Sequence, residues 1–456
     1  MGGGFLQIAA YGAENLYLSG NPQTSFFITV YKRHTNFAIE NCRQYFHGDL
    51  NFGKRVVCKI DRIGDLMSET FLVVKLPSLE PYFKNGIKYY WVNSIGHALI
   101  KSIEIEIGGK VIDINYGLWM SIWSSLTIPF DKDIGYGIMI GKSFKKTEYF
   151  NHIGEFKLYI PLNFWFCKNI GSSIPLVALQ KHEVKINLNI RNLDELIVAD
   201  MGSYKCGKAN LTLTELNSIK IEELFLYVDY IYLDDDERRF FAKNEHDYLI
   251  EQTQINTNQL YNRGTYTNGS TSETLVNCPN QTATEPTQAG CSPIITEHLI
   301  ELNFKHPIKE FIWVFQNTEV LESNDIYSGN EWFNFSIKNR CETDSQIDET
   351  PNLILEDAVL YIEGKQRFET REGKYFKNVI PFQRHSNIPL KQIYTYSFAL
   401  EPELLQPTGV CNYSEIDNSH FIFNINENLI NPFCTIFATN YNVLRIKKGM
   451  AGVAYN

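Results

Sequence analysis

Apolar and polar residues alternate with a period of two over much of the chain. Val184, Ile186, Leu188 and Ile190 are separated by polar residues, and Leu224, Leu226, Val228, Tyr230 and Tyr232 repeat the pattern. It returns late in the chain at Phe421, Phe423 and Ile425. Successive side chains of a strand point to opposite faces, so this alternation predicts strands with one buried and one wet face, the signature of antiparallel sheets stacked on each other. Ile103, Ile105 and Ile107 lead into Gly108-Gly109 and then Val111 to Ile114, a hairpin whose glycines supply the positive φ of a tight turn. Leu360 and Ile362 before Glu363-Gly364-Lys365 echo that hairpin in the other half. The reading is an all-β chain of two β-sandwiches of one design.

One segment breaks the alternation. Asp234 to Glu237 precede Arg238 to Ile250, with Phe240, Phe241, Tyr248 and Leu249 as apolar contacts. Acidic residues suit the positive end of a helix dipole, and Asp234 with Glu237 has capping-box spacing. A connecting helix over 235–250 is therefore expected. Residues 256–296, rich in Asn, Thr, Gly, Ser and Pro, read as a polar surface loop.

Composition narrows the class. The chain has 456 residues, 44% apolar and 21% charged, an ordinary globular mixture long enough for two or three domains. Its net charge is −10, which argues against a protein that works by neutralising phosphate backbones. No run of 18 apolar residues predicts a membrane-spanning helix, and the apolar start lacks the positive region of a signal peptide. The nine cysteines are odd in number, widely spaced and without a CxxC, which points to reduced thiols; Cys278 and Cys291 share the polar loop, but spacing alone sets no pairing.

Candidate chemistry is thin. Gly135 to Ser143 resembles a phosphate-binding loop, but the required first glycine is Tyr136 and no buried strand precedes it. The ten histidines include no HExxH, and His182 beside Glu183 reads as a strand-face residue rather than a ligand. There is no GxSxG, and no carboxylate pair stands out from the rest. No metal, cofactor or catalytic residue is therefore expected. Met1-Gly2 raises N-terminal acylation, but position 6 is Leu rather than Ser or Thr. Glycan acceptor motifs are about as frequent as chance allows; Asn268 and Asn280, in the polar loop, and Asn412 are the candidates. The six tryptophans (91, 119, 123, 165, 313, 332) are spread over the chain's strands as core residues would be.

Several ordered stretches carry a family resemblance. Gly12-Ala13-Glu14-Asn15-Leu16-Tyr17-Leu18-Ser19-Gly20-Asn21-Pro22-Gln23 runs on to Phe26-Phe27, Val30-Tyr31 and Arg33-His34-Thr35-Asn36-Phe37-Ala38. Ile174-Pro175-Leu176 to Gln180, Leu302-Asn303-Phe304 with His306-Pro307, and Tyr396-Ser397-Phe398-Ala399-Leu400 follow. Gln406-Pro407, Cys411-Asn412-Tyr413-Ser414 and Asn440-Tyr441-Asn442-Val443-Leu444-Arg445 complete the set. Together they resemble the major capsid proteins of nucleocytoplasmic large eukaryotic DNA viruses, in the branch of algal and giant viruses.

The resemblance implies a double jelly roll, two tandem eight-stranded β-sandwiches. Its parts would be an N-terminal arm (1–25), a first roll (26–234), the linker helix and a second roll (251–456). It further implies homotrimers forming pseudo-hexagonal capsomers that tile an icosahedral shell, assembled in the host cytoplasm over an inner membrane that the chain does not span. Neighbouring capsomers, minor capsid proteins and a penton protein are the implied partners, with no direct contact to nucleic acid. Upright rolls would put the polar loop outside and the arm, with Phe5, Leu6, Ile8, Tyr11, Leu16 and Tyr17, on the inner face as a contact surface. The competing reading is a carbohydrate-binding or carbohydrate-cleaving jelly-roll protein, but the tryptophans look like core rather than a clustered sugar platform.

Overall fold

The computed structural model describes residues 3–10, 12–83, 86–142, 156–200, 206–208, 211–260, 297–318, 330–336, 353–426, 429 and 431–455. Two sets of eight strands carry the architecture. The first set is β1 (Phe37–Tyr45), β2 (Arg55–Lys59), β3 (Leu66–Leu76), β4 (Ile100–Ile107), β5 (Lys110–Asn115), β6 (Phe156–Pro161), β7 (Val184–Ile190) and β8 (Glu223–Leu233). The second is β9 (His246–Gln259), β10 (Glu297–Glu301), β11 (Pro307–Gln316), β12 (Leu355–Ile362), β13 (Lys365–Gln366), β14 (Tyr394–Ser397), β15 (Ser419–Ile425) and β16 (Phe433–Lys447). A last strand, β17 (Met450–Val453), folds back on β16.

In the first set the sheets run β1-β8-β3-β6 and β2-β7-β4-β5; in the second they run β9-β16-β11-β14 and β10-β15-β12-β13. The two orders are the same once the second set is counted from its own start, and every pairing is antiparallel. This is a double jelly roll.

Side-chain periodicity builds each sandwich. In β8, Leu224, Leu226, Val228 and Tyr230 enter the first core. In β11, Phe311, Trp313 and Phe315 enter the second, where the Trp313 ring lies 5.1 Å from Phe421, 5.4 Å from Phe376 and 5.5 Å from Phe423. Aromatic pairs at such distances contribute beyond their buried area. The two matching hairpins form as read: Gly108 and Gly109 take φ of 61° and 83°, Glu363 and Gly364 take 49° and 71°. A turn with both central residues at positive φ matches the right-handed twist of its strands.

The linker is shorter than expected. The helix covers Asp235–Lys243 alone, and Tyr248 and Leu249 belong to β9, which pairs with β16 along its whole length. A continuous cross-strand ladder outweighs the propensity of one more helical turn. The capping box does not form either: Asp234 makes no side-chain cap bond. Instead Arg238, in the helix's first turn, grips the Asp65 carboxylate through Nε at 2.9 Å and Nη2 at 3.1 Å. β9 also takes residues 256–259 of the expected loop, whose remainder from 261, with Cys278, Cys291, Asn268 and Asn280, lies outside the described residues.

Two further placements differ from expectation. His182 and Glu183 sit in the bend just before β7, not on it. Trp119 and Trp123 lie on the helix Gly117–Thr127, and Trp165 starts the short helix Trp165–Lys168, yet all three are buried as core residues are. Among the described residues no strand precedes Phe37; Gly3–Ala9 and Leu16–Ser19 form short helices there. Local alternation cannot distinguish a strand from an extended arm that has no partner.

Candidate functional site: two equivalent sheet faces and an apolar arm

No group of three or more His, Cys, Asp or Glu is placed to hold a metal among the described residues. Cys42, Cys58, Cys167, Cys411 and Cys434 are free thiols, and burial pushes those of Cys58 and Cys167 up to about 12, so neither is a ready nucleophile. The loop resembling a phosphate cradle has the wrong polarity. Gly135 and Gly137 lie inside the helix Phe130–Ile140 and Gly141 caps its C-terminus, where carbonyls rather than amide hydrogens point outward. Lys142 there is bound to both oxygens of Asp133 at 2.8 and 2.9 Å, and the Tyr136 hydroxyl lies 2.9 Å from Nε2 of buried His97. Among the described residues no helix is long and apolar enough to cross a membrane.

What the fold does assemble is a covered surface between the rolls. On the outer face of the β9-β16-β11-β14 sheet, Ile312 pairs with Phe437 and Val314 with Thr435. Ile312, Val314 and Phe437, with Ile250, Leu444 and Ile446, join the first roll's core cluster rather than that of their own sandwich. Trp119 of the first roll packs on Phe437 at 5.2 Å between ring centroids. At the end of the same helix, the carbonyls of Ser125 and Leu126 accept hydrogen bonds from the Asn387 side chain and amide at 3.0 and 2.9 Å. Lys181 and His182 meet the β16–β17 turn: the Lys181 amide donates to the Gly449 carbonyl at 2.9 Å, and Ala451 donates to His182 Nδ1 at 3.1 Å.

Buried charges cross this seam. Glu251 on β9 takes Lys309 Nζ at 2.5 Å and Lys168 Nζ, from the first roll, at 3.1 Å; Lys309 also reaches the Pro402 carbonyl at 2.6 Å. Burial alone would raise Glu251, but Lys168 and Lys309 outweigh it and hold the carboxyl below its ordinary value. The same balance acts nearby in the other direction. His385 lies 3.2 Å from both Glu310 and Glu403; burial alone would lower its imidazole, but the two carboxylates hold it up at about 9. Asp113 at the end of β5 accepts the Thr253 amide at 3.0 Å, and burial pushes its carboxyl up to about 7. A buried charge with one partner removed is costly, so the Lys168–Glu251 pair ties the rolls to each other.

The equivalent face of the first roll has a buried centre and an open rim. On the β1-β8-β3-β6 sheet, Phe225 pairs with Val73 as Phe437 pairs with Ile312. Phe225, Val73 and Ile231 lie outside the first core cluster and are shielded by their surroundings, with the Arg43 guanidinium 4.9 Å above the Phe225 ring. Around them Phe37, Ile39, Tyr45 and Tyr159 stand open to solvent.

The arm is open as well. Phe5, Leu6 and Ile8 project from a helix with no buried residue, and Leu16 and Tyr17 begin the next short helix; Tyr11 lies outside the described residues. Farther along, Phe26 and Phe27 are 99% and 96% exposed, and Val30 and Tyr31 are nearly as open. Sequence reasoning missed this second apolar group, although Phe26-Phe27-Ile28 was visible as a run without alternation. It missed the seam charges for another reason: Lys168, Glu251 and Lys309 carry no local signal. Asn412 is exposed, and its side-chain oxygen accepts the Ser414 amide at 3.2 Å.

Two jelly rolls of one topology, joined by a buried seam and leaving apolar surface open, fit a structural protein built to associate. Comparison makes the class specific: the chain belongs to the major capsid proteins of large eukaryotic DNA viruses. Residues 25–234 match the family of the major capsid protein N-terminus, and residues 237–452 match the large eukaryotic DNA virus major capsid protein. The chain is 36% identical to the major capsid protein of Pyramimonas orientalis virus and 33% identical to that of Paramecium bursaria Chlorella virus 1, covering 100% of both chains in each case. Among solved structures it resembles PBCV-1 VP54, fitted into a reconstruction of the virophage Sputnik, with a TM-score of 0.73 and 28% identity, over 95% of this chain and 100% of that one. These are shell proteins and not enzymes, and the chain's place is the capsid shell of the virion.

Proposed function

We propose that three copies of the chain close into a pseudo-hexagonal capsomer and that such capsomers tile an icosahedral shell. Two rolls of one topology in each chain support this, because six similar sandwiches can meet neighbours in near-sixfold fashion while the chains keep simple cyclic closure. The observation that carries the reading is the uncovered apolar arm. A stripe holding Phe5, Leu6, Ile8, Leu18, Phe26 and Phe27 has no cover from its own chain, and a contiguous exposed apolar surface of this kind marks a contact surface. The arm lies on the inner face of the shell, against neighbouring capsomers, minor capsid proteins and the penton protein. Assembly takes place in the host cytoplasm, over an inner membrane that the chain adjoins without spanning.

Sedimentation of the purified protein tests the first part: a trimer of about 158 kDa is expected, three times 52.7 kDa. Deleting residues 1–20 tests the second. The shortened chain should still form folded trimers while shell closure fails, seen as a loss of intact particles by electron microscopy. Intact particles from the deletion would refute the arm's role.

A further inference from the structure

The arm leaves the body at one end of both rolls. Phe37, where β1 begins, pairs with Leu233 at the end of β8, and the linker helix Asp235–Lys243 follows. His246 at the start of β9 pairs with Ile446 near the end of β16, and the β16–β17 turn closes beside it with Lys447 opposite Met450. Phe240 of the linker and Met450 are exposed at this end. The carboxylates of Asp235, Asp236, Glu245 and Asp247 are answered by Arg238, Arg239, Lys447 and Arg445. Lys243 and Lys448 are exposed and in no ion pair among the described residues.

The segment that hangs from this end has one sign of charge. From Asn15 to Ile39 there is no Asp or Glu, in a chain that carries 52 of them, while Lys32 and Arg33 stand side by side. Neither cation is in an ion pair among the described residues. Residues 20–36 are neither helix nor strand, and all are exposed. Their hydrogen bonds are local: the Phe27 amide donates to Ser25 Oγ at 3.3 Å, and His34 Nδ1 lies 2.8 Å from the Thr35 carbonyl oxygen.

Two physical arguments choose the partner. Phe26, Phe27 and Ile28 are consecutive, and side chains that follow one another outside a helix diverge, so one groove wall does not cover all three. A fluid apolar medium does. The backbone here lacks regular hydrogen bonding and cannot enter a hydrocarbon core, so the medium is the hydrated boundary of a bilayer. Aromatic rings settle at that depth, and adjacent cations meet negative headgroups.

Resting on the reading that places the arm on the inner side of the shell, we propose that residues 26–34 bind the headgroup layer of an anionic lipid bilayer. Phe26, Phe27 and Tyr31 enter the acyl boundary, Lys32 and Arg33 meet the headgroups, and Lys243 and Lys448 face the same surface. Two cations and a few apolar side chains hold weakly in one chain, and several arms in one assembly add their hold.

The test is flotation of the full chain with vesicles of phosphatidylcholine mixed with phosphatidylserine, and with vesicles of phosphatidylcholine alone. The wild type should float with the mixed vesicles, less so as salt rises, and stay behind with the neutral ones. The double variant Phe26→Asp, Phe27→Asp alters side chains that are 99% and 96% exposed, so its circular dichroism spectrum should be unchanged. Its binding should fall at least about tenfold. Lys32→Gln with Arg33→Gln should weaken binding roughly thirtyfold at low salt, by the loss of two surface cations. Deleting residues 1–20 should leave binding intact. No flotation of the wild type, equal flotation with both vesicles, or a Phe26→Asp, Phe27→Asp variant that floats like the wild type would overturn the proposal. So would a wild type that ignores vesicles while that variant fails to give intact particles, which would assign the segment to a protein neighbour and leave the arm's role in shell closure standing. Sedimentation of the same samples judges the trimer separately, since a chain that floats but sediments as a monomer overturns the trimer reading alone.

Discussion

The outer faces of the sheets β9-β16-β11-β14 and β1-β8-β3-β6 are topologically the same surface and meet opposite fates. The first lies under Trp119 and is crossed by the Lys168–Glu251–Lys309 bridge; the second carries open aromatic side chains over the Phe225–Val73 pair. The difference teaches that a repeated module does not have to bury itself symmetrically. Inside one chain the second roll's sheet finds the neighbouring roll, while the first roll's sheet keeps an open aromatic rim.

Breaking the covered face should cost the most. Trp119→Ala removes a fully buried ring and its contact with Phe437, and should destabilise the isolated chain by about 3–5 kcal/mol in denaturant unfolding. If the loss were small, the seam would be far looser than its packing implies.

A smaller effect comes from pH. In the folded chain Glu310 and Glu403 hold His385 up at about 9, above its ordinary 6.5, so the stability it contributes is complete below about pH 6.5 and is lost as pH rises through 9. The shift bounds that contribution at about 3 kcal/mol. Burial also holds Asp113 up and Lys391 down, both to about 7, so the stability of the wild type alone mixes several titrations. The difference between wild type and His385→Gln cancels the other groups and should shrink steadily from pH 6.5 to 9. A difference flat with pH would mean that His385 is not held charged by Glu310 and Glu403.

The uncovered face should matter least to a single chain. Tyr45→Ala changes a side chain that is 62% exposed, and the unfolding free energy of monomers should move by no more than about 0.5 kcal/mol. A large loss would show that the face is part of the molecule's own core, and the contrast between the faces would collapse.

Much of the fold was legible because strand alternation is written in neighbouring residues. Leu224 to Tyr230 and Phe421 to Ile425 read correctly, and both hairpin turns declared themselves through glycine. Misreadings came where the local signal was shared by two structures. Tyr248 and Leu249 fit a helix face as well as a strand until β16 offered a full-length partner. The apolar arm around Phe5 was legible as a contact surface, whereas Phe26 and Phe27 entered only through the family resemblance, because an apolar run looks the same in a buried strand and in an exposed tail.

The sequence by itself determined the strands, the turns, the two-part plan and the family likeness, since each rests on residues close together in the chain or on ordered motifs. Only the tertiary structure decided which face is covered. Glu251 meets Lys168 and Lys309, and Trp119 meets Phe437, across long stretches of chain, and such meetings depend on how two finished sandwiches dock. Burial, and with it the charge on Glu251, is a property of that docking; no window of neighbouring residues contains it.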